Sequence, residues 1–202
     1  MRSPSLTGIY GGSFDPPHLG HLEVVKTFWK NFPDAEELVI VPNRSSPWKE
    51  AKETPPENIL KLVNIQFRTF PKTRTWDWEI LREEKSYTED TLEQFRKENP
   101  KASIALLVGE DQYSNFHKWR NWRSILDKIS LLLVFRRISE RIPENKELTG
   151  YMNTIRFLEN PIVEAASSEI RRLLPGCIQE NRKPIALDDS VWNAIRTGGS
   201  YR

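Results

Sequence analysis

Short apolar runs alternate along the chain with longer stretches in which apolar residues recur every three or four positions. Runs of strand length occur at Leu6–Tyr10, Leu38–Val41, Trp76–Ile80, Ile104–Val108 and Leu131–Phe135. Helical spacing predicts helices over His18–Phe32, Glu57–Phe70, Thr88–Lys97 and Ser168–Leu174, and around Ser190–Arg196. Strands that alternate with helices predict an α/β fold with a central parallel sheet and helices on both faces. In such sheets, ligands bind at the carboxyl ends of the strands, near the point where the strand order reverses.

The length of the chain and its polar stretches predict how it is organised. The 202 residues are expected to form a single domain spanning residues 1–202, with a small C-terminal helical part from about residue 165. The polar stretch Arg136–Asn153 is interpreted as a loop or a small insertion. Trp76, Trp78 and Ile80 alternate with polar residues, which is typical of a half-buried strand.

Composition excludes several classes of protein without indicating a function. Lys and Arg number 30 against 28 Asp and Glu, and this formal net charge of +2 is too small for a dedicated nucleic-acid binder. The single cysteine, Cys177, excludes an intramolecular disulfide and fits a reducing compartment. No apolar run is long enough for a membrane span, and Met1–Ser5 is not followed by the apolar region of a signal peptide. We therefore expect a soluble cytoplasmic protein with no membrane or nucleic-acid partner.

The loop after the first strand is the most informative segment. Gly11 and Gly12 have no Cβ, so their backbone N–H groups can approach a phosphate closely. His18 and His21 are three residues apart at a helix start, where they lie on one face beside a helix end that attracts anions. Two surface histidines that happen to be close are the simpler explanation, but the chain has only three histidines. A metal site would need further ligands that the neighbouring sequence lacks, so no metal-binding residue is predicted.

The stretch from Gly11 to Leu22 resembles the signature of the nucleotidyltransferase superfamily, in which a G-x-F-D-P-x-H-x-G-H segment holds the nucleotide phosphates. The resemblance implies a Rossmann-like nucleotidyltransferase fold. It also implies catalytic roles for His18 and His21. ATP and its phosphates are then expected to bind at the start of this loop, at Gly11, Gly12, Ser13 and Phe14.

Two later segments are similar to those of pyridine mononucleotide adenylyltransferases. Ser86–Leu92 resembles their S-Y-T-x-D-T-L motif, which implies that Tyr87 and Thr88 bind the pyridine nucleotide. Thr88 is also a plausible N-cap of the next helix. A G-x-D segment follows the fourth strand and implies that Gly109 and Asp111 bind ATP. Trp119 resembles the tryptophan that stacks on the pyridine ring, although a core role is a strong alternative in a chain with seven tryptophans.

Two further segments contribute cations. The loop from Val41 to Lys49 resembles the proline-rich loop of the family, with Trp48 in place of the usual histidine and Lys49 as the expected catalytic cation. Ala165–Arg171 is similar to I-S-S-T-x-I-R, which implies that Arg171 is catalytic. ATP-binding roles are implied for Ser167, Ser168 and Ile170, and the two serines are also good N-cap residues.

The order of these motifs resembles that of nicotinate-nucleotide adenylyltransferases. The resemblance implies that AMP is transferred from ATP to nicotinate mononucleotide, giving deamido-NAD and pyrophosphate in NAD biosynthesis, with Mg²⁺ bound to the ATP phosphates. Nicotinamide mononucleotide as the acceptor is one alternative, and a non-catalytic nucleotide-binding regulatory module is another. The sequence leaves open whether the chain forms a homo-oligomer.

Overall fold

Six parallel strands form one central sheet. The computed structural model describes residues 5–45, 54–136 and 145–201. The strands are β1 (Leu6–Gly12), β2 (Glu37–Pro42), β3 (Thr73–Thr75), β4 (Ser103–Gly109), β5 (Leu131–Phe135) and β6 (Ile155–Leu158). Their spatial order is β3-β2-β1-β4-β5-β6. All strands are parallel, and the order in which they follow one another along the chain reverses between β1 and β4. This is the order of the doubly wound dinucleotide-binding fold, whose ligands bind in the crevice at that reversal.

The helices connect these strands and follow them. They are α1 (Leu19–Asn31), α2 (Pro56–Phe67), α3 (Thr88–Glu98), α4 (Glu110–Ser114), α5 (Trp122–Lys128), α6 (Ser167–Gln179) and α7 (Asp189–Gly198). Two short 3-10 helices occur at Phe116–Lys118 and Lys146–Tyr151. The α/β class and the parallel sheet predicted from the sequence are confirmed.

Alternation of side chains along the strands produces two core layers. On β4, Leu106 and Val108 face a cluster that contains Leu92 of α3 and Ile125 of α5. The intervening β4 residues, Ala105 and Leu107, face the opposite layer. That layer also contains Val25 and Phe28 of α1 and Ile59 and Val63 of α2. Because both faces of the sheet are covered, β4 and β5 consist of nearly continuous apolar runs.

The C-terminal helices pack around a third cluster. α6 and α7 bury Ile170, Leu174 and Trp192 against Leu62, which lies on α2. This cluster places α6 and α7 against the helix that also covers the sheet. It therefore fixes the start of α6 close to the loop after β1, where Ser167 Oγ donates to the Pro16 carbonyl at 3.0 Å.

Some predicted elements differ from the structure. Trp76–Ile80 is not a strand: β3 ends at Thr75, and Trp76 and Trp78 stack on each other with ring centroids 5.7 Å apart. Alternation in this segment reflects that stacking rather than sheet pairing. α6 continues past Leu174 through Pro175, because Leu174 and Cys177 both bury in the third cluster and packing outweighs one lost backbone hydrogen bond.

β6 was not predicted from the sequence, and Arg136–Asn153 was expected to be a loop or a small insertion. Along β6 only Ile155 and Leu158 are buried, so the strand lacks the continuous apolar run of β4 and β5. It is one of the two edge strands, and within the described residues its neighbour in the sheet is β5. The described part of the polar stretch contains the 3-10 helix Lys146–Tyr151. None of the described helices is both long and apolar enough to cross a membrane.

Candidate active site

A large cavity opens at the carboxyl ends of β1 and β4. Its volume is about 1580 Å³, which exceeds the roughly 300–1,000 Å³ typical of a pocket for one small ligand. The predicted site residues that line this cavity are Gly11, Gly12, Ser13, Tyr87, Thr88, Asp111, Trp119 and Arg171. The cavity therefore brings together residues that are up to 160 positions apart in the sequence, at the sheet edge where the fold predicts a ligand.

The two histidines lie together at the start of α1, next to the cavity wall rather than on it. Their imidazole rings stack with centroids 3.7 Å apart and planes inclined by 27°. His18 is buried, and its backbone N–H donates to Nδ1 of His21 at 3.2 Å. Because Nδ1 of His21 accepts this hydrogen bond, the proton of its neutral ring is on Nε2. The close pairing expected from their spacing is confirmed, whereas their catalytic role stays a prediction.

The backbone around His18 is held from two other parts of the chain. The side-chain amide of Gln66, a buried residue of α2, donates to the His18 carbonyl at 2.9 Å. The next N–H group, that of Leu19, donates to the Ala186 carbonyl at 2.9 Å. Both contacts restrict the turn that orients the histidine rings. Gln66 is a residue that the motif comparison did not single out.

Arg171 reaches the same loop from α6. Its Nη1 donates to the Asp15 backbone carbonyl and lies 3.6 Å from Oδ2 of the Asp15 carboxylate. The other carboxylate oxygen, Oδ1, accepts a hydrogen bond from the Tyr201 hydroxyl at 2.6 Å. Asp15, Arg171 and Tyr201 all line the cavity. A planar guanidinium at this wall is suited to bind phosphate oxygens.

Aromatic residues line the part of the cavity formed by the segment before α3 and the segment after α4. The guanidinium of Arg120 lies over the Tyr87 ring, 3.8 Å from its centroid. Arg120 directly follows Trp119, which is half-buried and packs on Phe116 with centroids 4.8 Å apart. The two segments that resemble pyridine-nucleotide motifs are therefore in contact through Arg120 and Tyr87. Aromatic faces of this kind can stack on a planar heterocycle.

A buried carboxylate fixes these two segments to each other. Glu89 of α3 accepts a hydrogen bond from Asn121 Nδ2 at 2.6 Å and pairs with Arg120 Nε at 3.7 Å and Lys128 Nζ at 3.4 Å. Burial acts to raise the pKa of the Glu89 carboxyl. The hydrogen bonds from Asn121, Ser124 and Lys128 outweigh this effect and hold its pKa below the usual range.

Several predicted site residues lie elsewhere, or have a different local role. Phe14 is fully buried and packs on His21 with centroids 4.7 Å apart, so its side chain belongs to the core. Ile170 is buried among the C-terminal helices. Neither residue is among those that line the cavity, and their ATP-binding roles stay predictions. Gly109 ends β4, and its φ of −78° is an ordinary value for any residue.

Two predicted N-caps are wrong. Tyr87 is the N-cap of α3, and Thr88 is its first helical residue. Ala166 is the N-cap of α6, which places Ser167 and Ser168 inside the first turn. In both cases the helix begins at the polar residue that resembled a cap, and the residue before it is the N-cap. Lys49 and Trp48 lie outside the described residues.

Other residues at the site were not predicted. Asp15 lies within the motif after β1, and Tyr201 within the segment after α7, but neither had been given a role. Their partners come from distant parts of the chain, and no local spacing could reveal them. Arg120 and Glu89 could have been noticed as charged neighbours of the aromatic motifs. Across the parts of the chain that the structure describes, no three His, Cys, Asp or Glu side chains converge as a resident metal site requires.

Comparison with known proteins supports the class that the fold and the loop suggest. The family model described as cytidylyltransferase-like matches residues 9–173. The Plasmodium falciparum nicotinic acid mononucleotide adenylyltransferase, solved as a complex with NaAD, shares the fold, with a TM-score of 0.75 at 18% identity. That alignment covers 98% of this chain and 97% of the other.

Curated relatives are closer in sequence. A Leptospira borgpetersenii protein named "Probable nicotinate-nucleotide adenylyltransferase" is 44% identical over 173 residues, which are 85% of this chain and 86% of the relative. A Flavobacterium johnsoniae protein of the same name is 31% identical over 96% of this chain and 98% of its own length.

The sheet order, the loop after β1 and the family match together define a nucleotidyltransferase of the cytidylyltransferase-like class. Identity over most of both chains is more specific. The chain belongs to the nicotinate-nucleotide adenylyltransferase family.

Proposed function

We propose that this protein transfers the AMP part of ATP to nicotinate mononucleotide, releasing pyrophosphate and forming deamido-NAD for NAD biosynthesis. The observation that carries the proposal is a single cavity with two kinds of wall. One wall contains Gly11, Gly12 and Arg171, which suit phosphates, and the other contains Tyr87 and Trp119, which suit a pyridine ring. A volume of about 1580 Å³ has room for both nucleotides at once.

The reaction requires positioning and charge stabilisation more than a protein nucleophile. An oxygen of the nicotinate mononucleotide phosphate attacks the α-phosphorus of ATP, and the bond from that phosphorus to the pyrophosphate oxygen breaks. Negative charge increases on the leaving pyrophosphate. Cationic and N–H donors fixed beside that charge lower the barrier. Arg171 and Nε2–H of His21 are the described groups suited to this role, and Lys49 is retained as a predicted cation.

Magnesium is assigned to the substrate, because Mg²⁺ usually binds through phosphate oxygens and retained waters rather than an all-protein cage. Binding as MgATP would neutralise part of the triphosphate charge before the acceptor approaches. Asp111 lines the cavity at the end of β4, where a carboxylate can accept hydrogen bonds from ribose hydroxyls. The cytoplasm remains the predicted compartment.

The test compares acceptors directly. The purified protein is incubated with MgATP and either nicotinate or nicotinamide mononucleotide, and pyrophosphate release is measured together with the dinucleotide product. We expect release with nicotinate mononucleotide and a much smaller kcat/KM with the amide. A preference for nicotinamide mononucleotide would assign the other acceptor. MgATP binding without turnover on either acceptor would indicate a non-catalytic nucleotide-binding module.

A further inference from the structure

Asp15 connects two residues that are far apart in the sequence. Its carboxylate is buried, with the Tyr201 hydroxyl 2.6 Å from Oδ1 and Arg171 Nη1 3.6 Å from Oδ2. Its backbone carbonyl accepts a second contact from the same Arg171 nitrogen. Burying a carboxylate is costly unless its oxygens have hydrogen-bonding or charged partners. Tyr201 and Arg171 are the partners that make this buried position tolerable.

Tyr201 is a hydrogen-bond donor over the whole working pH range. Burial, and then the neighbouring Asp15 carboxylate, raise the pKa of its phenol far above the usual range. The Thr54 side chain is hydrogen-bonded to the same hydroxyl. The hydroxyl therefore keeps its proton and directs it to Asp15.

The segment after α7 is shaped to deliver this side chain to the cavity. α7 ends at Gly198 and is followed by the capping residue Gly199, whose φ of 76° is in the left-handed region that glycine adopts without strain. Ser200 and Tyr201 then line the cavity wall together with Arg171. Tyr201 thus reaches the phosphate side of the cavity, and its hydroxyl ends on the loop that also carries His18.

We propose that Tyr201 is a positioning residue for adenylyl transfer, which acts by holding Asp15 so that Asp15 places the Arg171 guanidinium at the cavity wall. This role rests on the proposed function, in which Arg171 stabilises the charge on the leaving pyrophosphate. With the Tyr201 hydroxyl present, Oδ1 of Asp15 accepts a hydrogen bond from a neutral donor. Arg171 then contacts Oδ2 and the backbone carbonyl of Asp15. Without that hydroxyl, Arg171 becomes the main partner of a buried carboxylate and is drawn away from the phosphate.

The test is a double-mutant cycle on kcat/KM, with MgATP and nicotinate mononucleotide as substrates. The variants are Tyr201→Phe, Arg171→Ala and the double variant, and Tyr151→Phe is the matched control. Tyr151 is another half-buried tyrosine, which packs on Trp122 in the sheet core outside the cavity. Outer partners that orient an active group contribute about 10- to 100-fold where they have been measured at metal ligands. We expect Tyr201→Phe to lower kcat/KM about tenfold in the native background and less than about twofold in the Arg171→Ala background.

A second measurement does not depend on the acceptor. Binding of magnesium and a non-hydrolysable ATP analogue is followed by calorimetry for the same variants. We expect Tyr201→Phe to weaken it about three- to tenfold and Tyr151→Phe to leave it unchanged. An equal loss of kcat/KM in both backgrounds, or unchanged analogue binding in Tyr201→Phe, would overturn the positioning role.

The outcomes separate this proposal from the proposed function. If Arg171→Ala is severely impaired while Tyr201→Phe is normal, the positioning role fails and the reaction stands. If the native protein turns over neither acceptor but Tyr201→Phe still weakens analogue binding through Arg171, the proposed reaction fails and the network stands.

Discussion

The imidazole of His18 stacks on that of His21, and the backbone N–H of His18 donates to Nδ1 of the second ring. The pair is thus held as a unit at the start of α1, where the Phe14 ring packs against His21. Gln66 holds the carbonyl of His18 from α2. A hydrogen-bond donor fixed in this way requires little reorganisation when negative charge forms on a phosphate, which is the condition for effective electrostatic catalysis.

Removal of either ring should therefore impair turnover. We expect His18→Ala and His21→Ala to lower kcat by at least about 10²-fold, the lower range for losing a positioned transition-state donor. His117→Ala is the control, because the third histidine contacts Asn145 and is not part of the stacked pair at the start of α1. Steady-state pyrophosphate release from purified, folded variants checks the prediction. Near-normal turnover in either site variant would contradict the catalytic role.

Gly20 lies between the two histidines and leaves space for the His18 ring. A Cβ at this position would lie 3.1 Å from both Cε1 and Nδ1 of His18, which is too close for the ring to keep its place. Misplacing a catalytic group by about 1 Å can cost about 10²-fold in rate. Since a shift of a few tenths of an ångström is enough here, we expect Gly20→Ala to lower kcat about tenfold while the fold is retained.

The control for Gly20→Ala is Gly150→Ala, at a glycine whose added Cβ would meet nothing within 4 Å. We expect this variant to keep full activity and to be stabilised by up to about 1 kcal/mol through the unfolded chain. Parallel kinetics and urea unfolding of both variants provide the comparison. Equal activity in the two would show that the contact with His18 is unimportant.

Trp119 is expected to bind the pyridine ring rather than to stabilise the core. Trp119→Ala should raise KM for nicotinate mononucleotide by about 10-fold or more, since one aromatic stack contributes about 0.5–1.5 kcal/mol beyond the buried area. Binding of the ATP analogue should be retained, and Trp119→Phe should recover most of the affinity. Titration of both ligands by calorimetry distinguishes the roles. An equal loss for both nucleotides would indicate a structural tryptophan.

Glu89 makes the contact between α3 and the Trp119 segment dependent on pH. Its folded pKa is lowered, so its contribution to stability is present above the unfolded pKa of about 4.3 and is lost as the pH falls through the folded pKa. We expect Glu89→Gln to lower the free energy of unfolding by about 1 kcal/mol at pH 7. This difference should shrink as the pH falls below the unfolded pKa and through the lower folded pKa of Glu89.

Urea unfolding at a series of pH values measures the effect of Glu89→Gln, with the exposed residue Glu164 changed to Gln as the control. Because Glu89 also anchors Arg120, KM for nicotinate mononucleotide should rise in the same variant. A difference in unfolding free energy that is constant with pH would exclude the carboxylate charge as its cause.

The elements with strong periodicity could be predicted, and their positions follow from local physics. α1 shows this clearly, since its buried residues Val24, Val25 and Phe28 recur at helical spacing and the observed helix differs from the prediction by one residue at each end. β3 could not be predicted because the alternation of Trp76 and Trp78 has the same period as a strand. The strand lies instead at Thr73–Thr75, because these are the residues that pair with β2 in the assembled sheet.

The candidate site was predictable where a motif lies within one segment and not where its partners come from several. The pairing of His18 with His21 depends on a spacing of three residues at a helix start, so the sequence contains it. The contact of Asp15 with Tyr201 depends on how α6 and α7 dock on α2, which is a property of the assembled core. Ala166 as a cap shows the same limit, because docking rather than residue preference sets where α6 begins.

The contact between Asp15 and Tyr201 spans 186 residues, and this separation has a consequence for how activity is acquired during biosynthesis. Chains generally fold from the N-terminal side as they are translated, and contacts between distant segments form late. A nascent chain can have its histidine pair in place long before Arg171 and Tyr201 have been added. ATP would then bind a cavity that still lacks the Arg171 cation. Catalytic activity would begin only when the contact between Asp15 and Tyr201 has formed.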